Sequence, residues 1–313
     1  MSKFLTEKKP IKIVADNHKD WLSLRKGIGS SDVATILGCN KWSTPYQLWL
    51  DKTGQSIPQE EDNVYFKRGH QLEPLIANIW EEETGKHIIP ESSSEYLYVH
   101  PEYDFIRASP DREFGIKKSE GILECKSTQM QIEADELPEY WFCQVQWQMG
   151  ISQIEYSNIA WLIRGLNFGY AEVHFNPDFF AYMVEEVKKF WYDNVLSFVA
   201  PECSNATDIA LKYKTSTDKS LEAGDNLLSI YSELKELKDR KSEIESREQF
   251  LKEVLQLNMR DCSKLTYNGE TLCTWKTAKS SLKFDEKSFK KAHPEMYQEF
   301  LLPKTGSRPF LLK

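Results

Sequence analysis

No apolar run in this 313-residue chain approaches the roughly 18 residues that a membrane span requires. The opening stretch, Met1 to Pro10, lacks the continuous apolar segment of a signal peptide. These absences predict a cytoplasmic protein with no membrane partner. Paired cysteines are also missing: six stand alone at 39, 125, 143, 203, 262 and 273, none in a C-x-x-C and none near a histidine at zinc-finger spacing. That pattern argues against a disulfide framework, a structural zinc and a cysteine-ligated cluster, and leaves six reduced, mostly buried thiols. Nor is there an excess of positive charge, since 40 Lys and Arg face 48 Asp and Glu for a net charge of −8. This argues against a protein that coats polyanions wholesale. It does not exclude a polyanion-binding protein that confines its basic groups to a strand-tracking surface.

What is present suffices for about two domains with a hydrophobic core of their own. Helical periodicity runs through residues 17–53, where a Gly-Ile-Gly-Ser-Ser-Asp turn opens Val33–Leu37 and Gly38 closes it, and Ser43-Thr44-Pro45 starts another helix. Residues 63–84 predict a longer helix with Leu72, Leu75, Ile76, Ile79 and Trp80 on one stripe. The period then changes to β: runs at 95–99, 103–107 and 121–126, a helix from Tyr140 to Met149, a hairpin of 157–163 with 169–175, and a last helix over 177–199. Helices, three strands, helix, two strands and helix predict an α/β architecture around a mixed sheet, occupying residues 1–200. Residues 201–226 lose the apolar period and read as a linker. Residues 227–313 read as a coiled coil with polar breaks at Lys241 and Glu248, a hairpin around Asn268-Gly269, and a basic-aromatic tail.

The chemistry concentrates between Asp111 and Lys126. Ser109-Pro-Asp111 is separated by twelve residues from Glu124-Cys-Lys126, so two strands joined by a short loop bring one acid from each to a single sheet end. Glu124 and Lys126, two apart on a strand, share a face, while the backbone carbonyl of Cys125 stays free for a cation. Two carboxylates, a carbonyl and waters form the hard-oxygen shell that Mg²⁺ prefers, and the adjacent lysine can hold or deprotonate a water or balance charge on phosphorus.

Five ordered segments carry a more specific resemblance: Arg25-Lys-Gly-Ile-Gly-Ser-Ser-Asp32, Arg68-Gly-His-Gln-Leu-Glu73-Pro, Ala108-Ser-Pro-Asp111, Leu123-Glu-Cys-Lys126 and Tyr140-Trp-Phe-Cys-Gln144-Val-Gln146. Together they resemble the PD-(D/E)xK nuclease superfamily and, within it, the YqaJ-like viral recombinase nucleases, the family of the phage lambda exonuclease, over about residues 18–200. The resemblance implies a restriction-endonuclease-like mixed sheet flanked by helices, with the coiled coil and β-hairpin as a C-terminal extension. It implies Mg²⁺, with Mn²⁺ as the alternative, held by Asp111, Glu124, the Cys125 carbonyl and, directly or through water, Glu73. Lys126 would be the catalytic lysine and Gln144 would position the nucleophile or the strand. Arg25 and Ser31 would meet a 5′ phosphate, Ser109 would lie along the same DNA path, and Arg68 would contact DNA or pair with Glu73. The implied activity is 5′-to-3′ exonuclease digestion of linear duplex DNA in a bacterial or phage-infected cell. It would leave 3′ single strands for an annealing protein, from a homo-oligomer such as a trimeric ring. The alternatives are an endonuclease of the superfamily and a non-catalytic DNA-binding or scaffold protein.

Overall fold

In the computed structural model, which describes residues 3–15, 24, 26–56, 64–90, 96–302, 306 and 308–312, the chain divides into two units, Met1–Lys212 and Tyr213–Lys313. In the first, strand β1 (Ile11–Val14) precedes two short helices, α1 (Ser30–Ile36) and α2 (Pro45–Lys52), and the long helix α3 (Val64–Thr84). Strands β2 (Tyr96–Val99), β3 (Arg107–Ala108), β4 (Arg112–Phe114) and β5 (Gly121–Thr128) follow. Helix α4 (Glu139–Ser152), the hairpin β6 (Tyr156–Ile163) and β7 (Asn167–His174), and helices α5 (Pro177–Lys189) and α6 (Ala206–Lys212) complete the unit. A π-helical stretch, Phe190–Leu196, continues α5. The expected α/β class with a mixed sheet between helices is the observed one.

The mixed sheet has the order β4-β5-β6-β7, with β5 and β6 parallel and the outer pairs antiparallel. A second, antiparallel sheet has the order β1-β2-β3. Alternation along β5 sets the layers. Leu123 packs with Ala160, Leu162 and Phe114 against Ile76, Ala77 and Trp80 of α3. Its neighbour Ile122 packs with Ile159, Trp161 and Val173 against Trp141, Val145 and Met149 of α4. A parallel pair covered by a helix on each face reads as a near-continuous apolar run, as Gly121–Leu123 and Ile159–Ile163 do.

Some elements differ from expectation. On α3, Ile76, Ala77 and Trp80 are buried but Leu75 is 48% exposed. The strand expected at 103–107 shrinks to Arg107–Ala108, because the chain turns at Tyr103–Ile106, where Ile106 N–H donates to the Tyr103 carbonyl. Strands β1 and β4 were not expected. Lys12 of β1 reaches Glu113 of β4 at 2.6 Å, and Tyr98 of β2 donates to the same carboxylate at 2.8 Å. The expected linker contains α6, which belongs to the first unit. Its Asp208 is buried and accepts hydrogen bonds from Thr44 Oγ1 and Gln47 Nε2 of the α2 start, each at 2.9 Å.

The second unit holds α7 (Asp225–Met259), the hairpin β8 (Lys264–Tyr267) and β9 (Glu270–Thr274), and helices α8 (Glu286–Ala292) and α9 (Pro294–Glu299). The hairpin turns through Asn268 and Gly269, both at positive φ. Helix α7 covers the stretch read as a coiled coil, and Leu234, Leu237, Ile244 and Leu251 are exposed along it. Among the described residues no helix is long and apolar enough to cross a membrane.

Candidate active site

The face of β5 that carries Ile122 also carries Glu124 and Lys126, so both project toward α4 beyond the apolar patch. Opposite them α4 presents Gln144 and Gln148, one helical turn apart on one face. The Glu124 side chain is 4% exposed. A carboxylate so buried is costly unless its oxygens are paired. Here they are. Oε1 accepts from Lys126 Nζ at 2.7 Å and Gln144 Nε2 at 2.6 Å, and Oε2 accepts from Gln148 Nε2 at 2.7 Å. Lys126 Nζ donates in turn to Gln144 Oε1 at 2.8 Å, so Gln144 touches both members of the ion pair.

Asp111 enters from the start of β4. Pairing of Arg112 with Leu123 sets the register, and Asp111 Oδ2 accepts the Cys125 N–H at 2.8 Å. The N–H and C=O of one strand residue point to the same edge, so the Cys125 carbonyl is directed to the Asp111 side of β5. Burial, reinforced by the negative charges of Glu124 and Glu73, holds the Asp111 carboxyl well above the ordinary range. For Lys126, burial alone would lower the pKa, but the charges of Glu124 and Asp111 outweigh it and keep the ammonium form above its usual value.

Glu73 approaches from α3. Its Oε1 accepts from Arg112 Nη1 at 2.5 Å, and His70 Nδ1 lies 3.8 Å from Oε2. The pairing of Glu73 with Arg68 is therefore replaced by one with Arg112. Residues 68 and 73 are five apart on α3 and do not share a face as residues three or four apart do; Arg68 is exposed. The Ser109 hydroxyl donates to the Tyr96 carbonyl at 2.8 Å and so ties the strand end to β2. Ser31 lies exposed in the first turn of α1, whose N-cap is Gly29. Asp32 is the N3 residue of that helix. Its Oδ2 accepts the Gly29 N–H at 2.9 Å and pairs with Lys52 at 2.7 Å. Arg25 lies outside the described residues. Two places later Gly27 has φ +112°, and a Cβ there would stand 2.3 Å from the Phe105 carbonyl oxygen, so only glycine lets the chain pass β3 this closely.

Arg112 and Gln148 were not expected. Arg112 follows Asp111 directly, and Gln148 follows Gln144 by one helical turn; that spacing was the available signal. Gln148 is fully buried, and its Oε1 has no hydrogen-bond partner among the described residues.

Among the described residues no three His, Cys, Asp or Glu side chains form a ready cation cage. The donor set nonetheless suits a hard cation of the Mg²⁺ type, which uses one or two carboxylates and keeps several waters. Asp111, Glu124 and the Cys125 carbonyl could hold it, and positive charge there would relieve the repulsion that raises Asp111. A cavity of about 620 Å³, lined by Cys39, Leu137, Phe142, Cys143 and Phe179 among others, includes none of the clustered residues. Burial pushes the Cys143 thiol up to about 12, which disqualifies it as a nucleophile.

The structure thus has a mixed sheet flanked by helices in which Asp111 meets Glu124 and Lys126 beside the parallel pair. Residues 20–155 match the family model of the YqaJ-like viral recombinase domain. YqaJ of Bacillus subtilis (strain 168) is 32% identical over 292 residues, 90% of this chain and 89% of that protein. The chain belongs to the YqaJ-like viral recombinase family, and the match to YqaJ reaches beyond the first unit. Among solved structures, the alkaline exonuclease LHK-Exo from Laribacter hongkongensis is similar at a TM-score of 0.48 and 18% identity, over 63% of this chain and 97% of that one. Its complex with dAMP gives 0.49 and 19%, over 63% and 98%.

Proposed function

We propose that this chain is a metal-dependent exonuclease that digests one strand of linear duplex DNA from its 5′ end and leaves a 3′ single strand for an annealing protein. The observation that carries this reading is the joining of Asp111, Glu124, Lys126 and Gln144 around one strand end. Asp111, Glu124 and the Cys125 carbonyl would hold Mg²⁺, or alternatively Mn²⁺, with Glu73 reaching it directly or through water. When bound, the cation supplies charge neutralisation at the phosphate and a more acidic water. Lys126, fixed between Glu124 and Gln144, is placed to hold a water or to offset charge on the phosphate oxygens. Gln144 keeps the lysine and the carboxylate in register. Arg25 and Ser31 are assigned to the terminal 5′ phosphate, and Arg68 and Ser109 to the DNA path. A homo-oligomer, such as a trimeric ring, would keep the enzyme on its substrate.

Linear duplex with 5′ phosphates and a closed circular duplex, each incubated with Mg²⁺, test the reading. The linear DNA should be consumed and the circle left intact, with Ca²⁺ unable to replace Mg²⁺. Nicking of the circle would make the protein an endonuclease, and two intact substrates would leave only a binding role.

Gln148 has its own expected result. Gln148→Leu keeps the packing volume but removes the donor to Glu124 Oε2. A group that orients a metal-ligating carboxylate in this way is worth about 10- to 100-fold in metal affinity or activity. The Mg²⁺ concentration for half-maximal cleavage should rise by that factor, and direct Mn²⁺ titration of the protein should show the same weakening.

A further inference from the structure

The charge of this chain is segregated. Residues 1–212 contain 21 Lys and Arg against 32 Asp and Glu, whereas residues 213–313 contain 19 against 16. Net charge so acidic gives the first unit no surplus attraction for a polyanion at long range, and basic groups in the second unit add to whatever local contacts the first unit makes. One stretch of the second unit carries basic groups with no acidic ones among them. From Trp275 to Phe284 the chain contains Lys276, Lys279 and Lys283 and no acidic residue. This stretch forms neither helix nor strand, and every residue in it is exposed. None of the three lysines is in an ion pair with a described residue. Aromatic rings flank them: Trp275 is 46% exposed and Phe284 66%, and Tyr267 on the adjoining hairpin is 68% exposed.

The hairpin anchors the stretch. Trp275 N–H donates to the Ser263 carbonyl at 3.0 Å, and Cys273 packs its sulfur 3.8 Å from that of the buried Met259 at the end of α7. The segment therefore starts from a fixed point. Lysines interleaved with exposed rings suit a strand whose bases are unstacked, because each ring offers a face to a base while the ammonium groups follow the phosphates. Duplex DNA has no free base faces to offer.

We propose that the Trp275–Phe284 segment, with Tyr267 of the hairpin, is a binding site for single-stranded DNA. It rests on the nuclease reading for its biological sense, because single-stranded DNA is the product of that reaction, but it stands on separate residues. The second unit then holds the strand that the catalytic unit releases.

The test uses the full chain in chelator, so that nothing is cut, with a labelled single strand of roughly 30 nucleotides, longer than a site of about 4–16. The triple variant Lys276→Gln, Lys279→Gln and Lys283→Gln should bind about tenfold or more weakly near 0.1 M salt. Its dependence of log affinity on log salt should flatten by about 2, three contacts at roughly 0.7 each. Trp275→Ala should weaken single-strand binding by roughly 5- to 100-fold with the salt slope unchanged, and Trp275→Phe should retain most of the affinity. Wild-type affinity in both the triple variant and Trp275→Ala overturns the proposal. So does an equal loss for duplex and single strand in Trp275→Ala, since a stacking ring must discriminate between them. Cleavage of linear duplex in Mg²⁺ is measured alongside. If the wild-type chain cuts nothing yet shows the full single-strand pattern, the nuclease reading falls and this site stands.

Discussion

Asp111→Asn and Glu124→Gln should each lower cleavage by about 10³-fold or more, and Asp111→Asn should at the same time make the metal-free protein harder to unfold. The first effect follows from removing a charged oxygen ligand, which forfeits several kcal/mol of charge stabilisation at the phosphate. The second follows from the electrostatics of Asp111. Its folded-state pKa is raised by burial and by Glu124 and Glu73, above an unfolded value of about 3.9. The folded state therefore holds the proton more tightly, and stability falls as pH rises from the unfolded toward the folded pKa. Asparagine cannot ionise, yet it can still accept the Cys125 N–H. The variant should thus be the more stable protein above the folded pKa, and the advantage should vanish below about pH 3.9, where Asp111 is protonated in both states. Added Mg²⁺ should raise the unfolding temperature of the wild type by mass action and leave that of Asp111→Asn nearly unchanged. Thermal unfolding with and without chelator, run beside the cleavage assay, reads all three effects. Full wild-type cleavage in excess chelator would end the metal mechanism.

What could be read from the sequence and what could not divide along the range of the interactions. The placement of Glu124 and Lys126 on one strand face follows from their spacing, and the hairpin at Asn268-Gly269 follows from local turn chemistry. The convergence of Asp111 and Gln144 on them was expected because five motifs occur in order. Lys12 and Arg112 lay beyond such reasoning. Lys12 acquires its role only by meeting Glu113, 101 positions away, and Arg112 by meeting Glu73, 39 positions away. Strand β1 shows the same limit, since its Ile-Lys-Ile-Val run is only four residues long and Ile11 and Val14 are more than half exposed. Helix α6 looked like linker because its composition is polar. What docks it is one buried carboxylate, Asp208, taking hydrogen bonds from Thr44 and Gln47. Local pattern is visible in a single sequence; a partner chosen by the fold is not.

Lys126→Ala should slow turnover by about 10²–10³-fold, the effect of losing one preorganised electrostatic group worth about 3–4 kcal/mol in the transition state. Affinity for DNA should change far less, because contacts spread along the phosphate backbone dominate binding. The loss should therefore fall on kcat and leave KM nearly unchanged, the pattern of an interaction made chiefly in the transition state. Lys126→Arg should restore little. The ammonium sits 2.7 Å from Glu124 Oε1 and 2.8 Å from Gln144 Oε1, in a slot for a compact point charge, and a planar guanidinium fork needs more room and a different set of acceptors. A structural objection has to be met, because removing one member of a buried ion pair can cost about 3–5 kcal/mol of stability. Glu124 keeps Gln144 and Gln148 as donors in the variant, which limits that cost, and urea denaturation measures what remains. A folded Lys126→Ala protein that binds duplex normally and cuts slowly supports the catalytic role. Should binding collapse together with rate while the fold persists, Lys126 is a strand contact, and the group that acts on the water has to be sought elsewhere in the cluster.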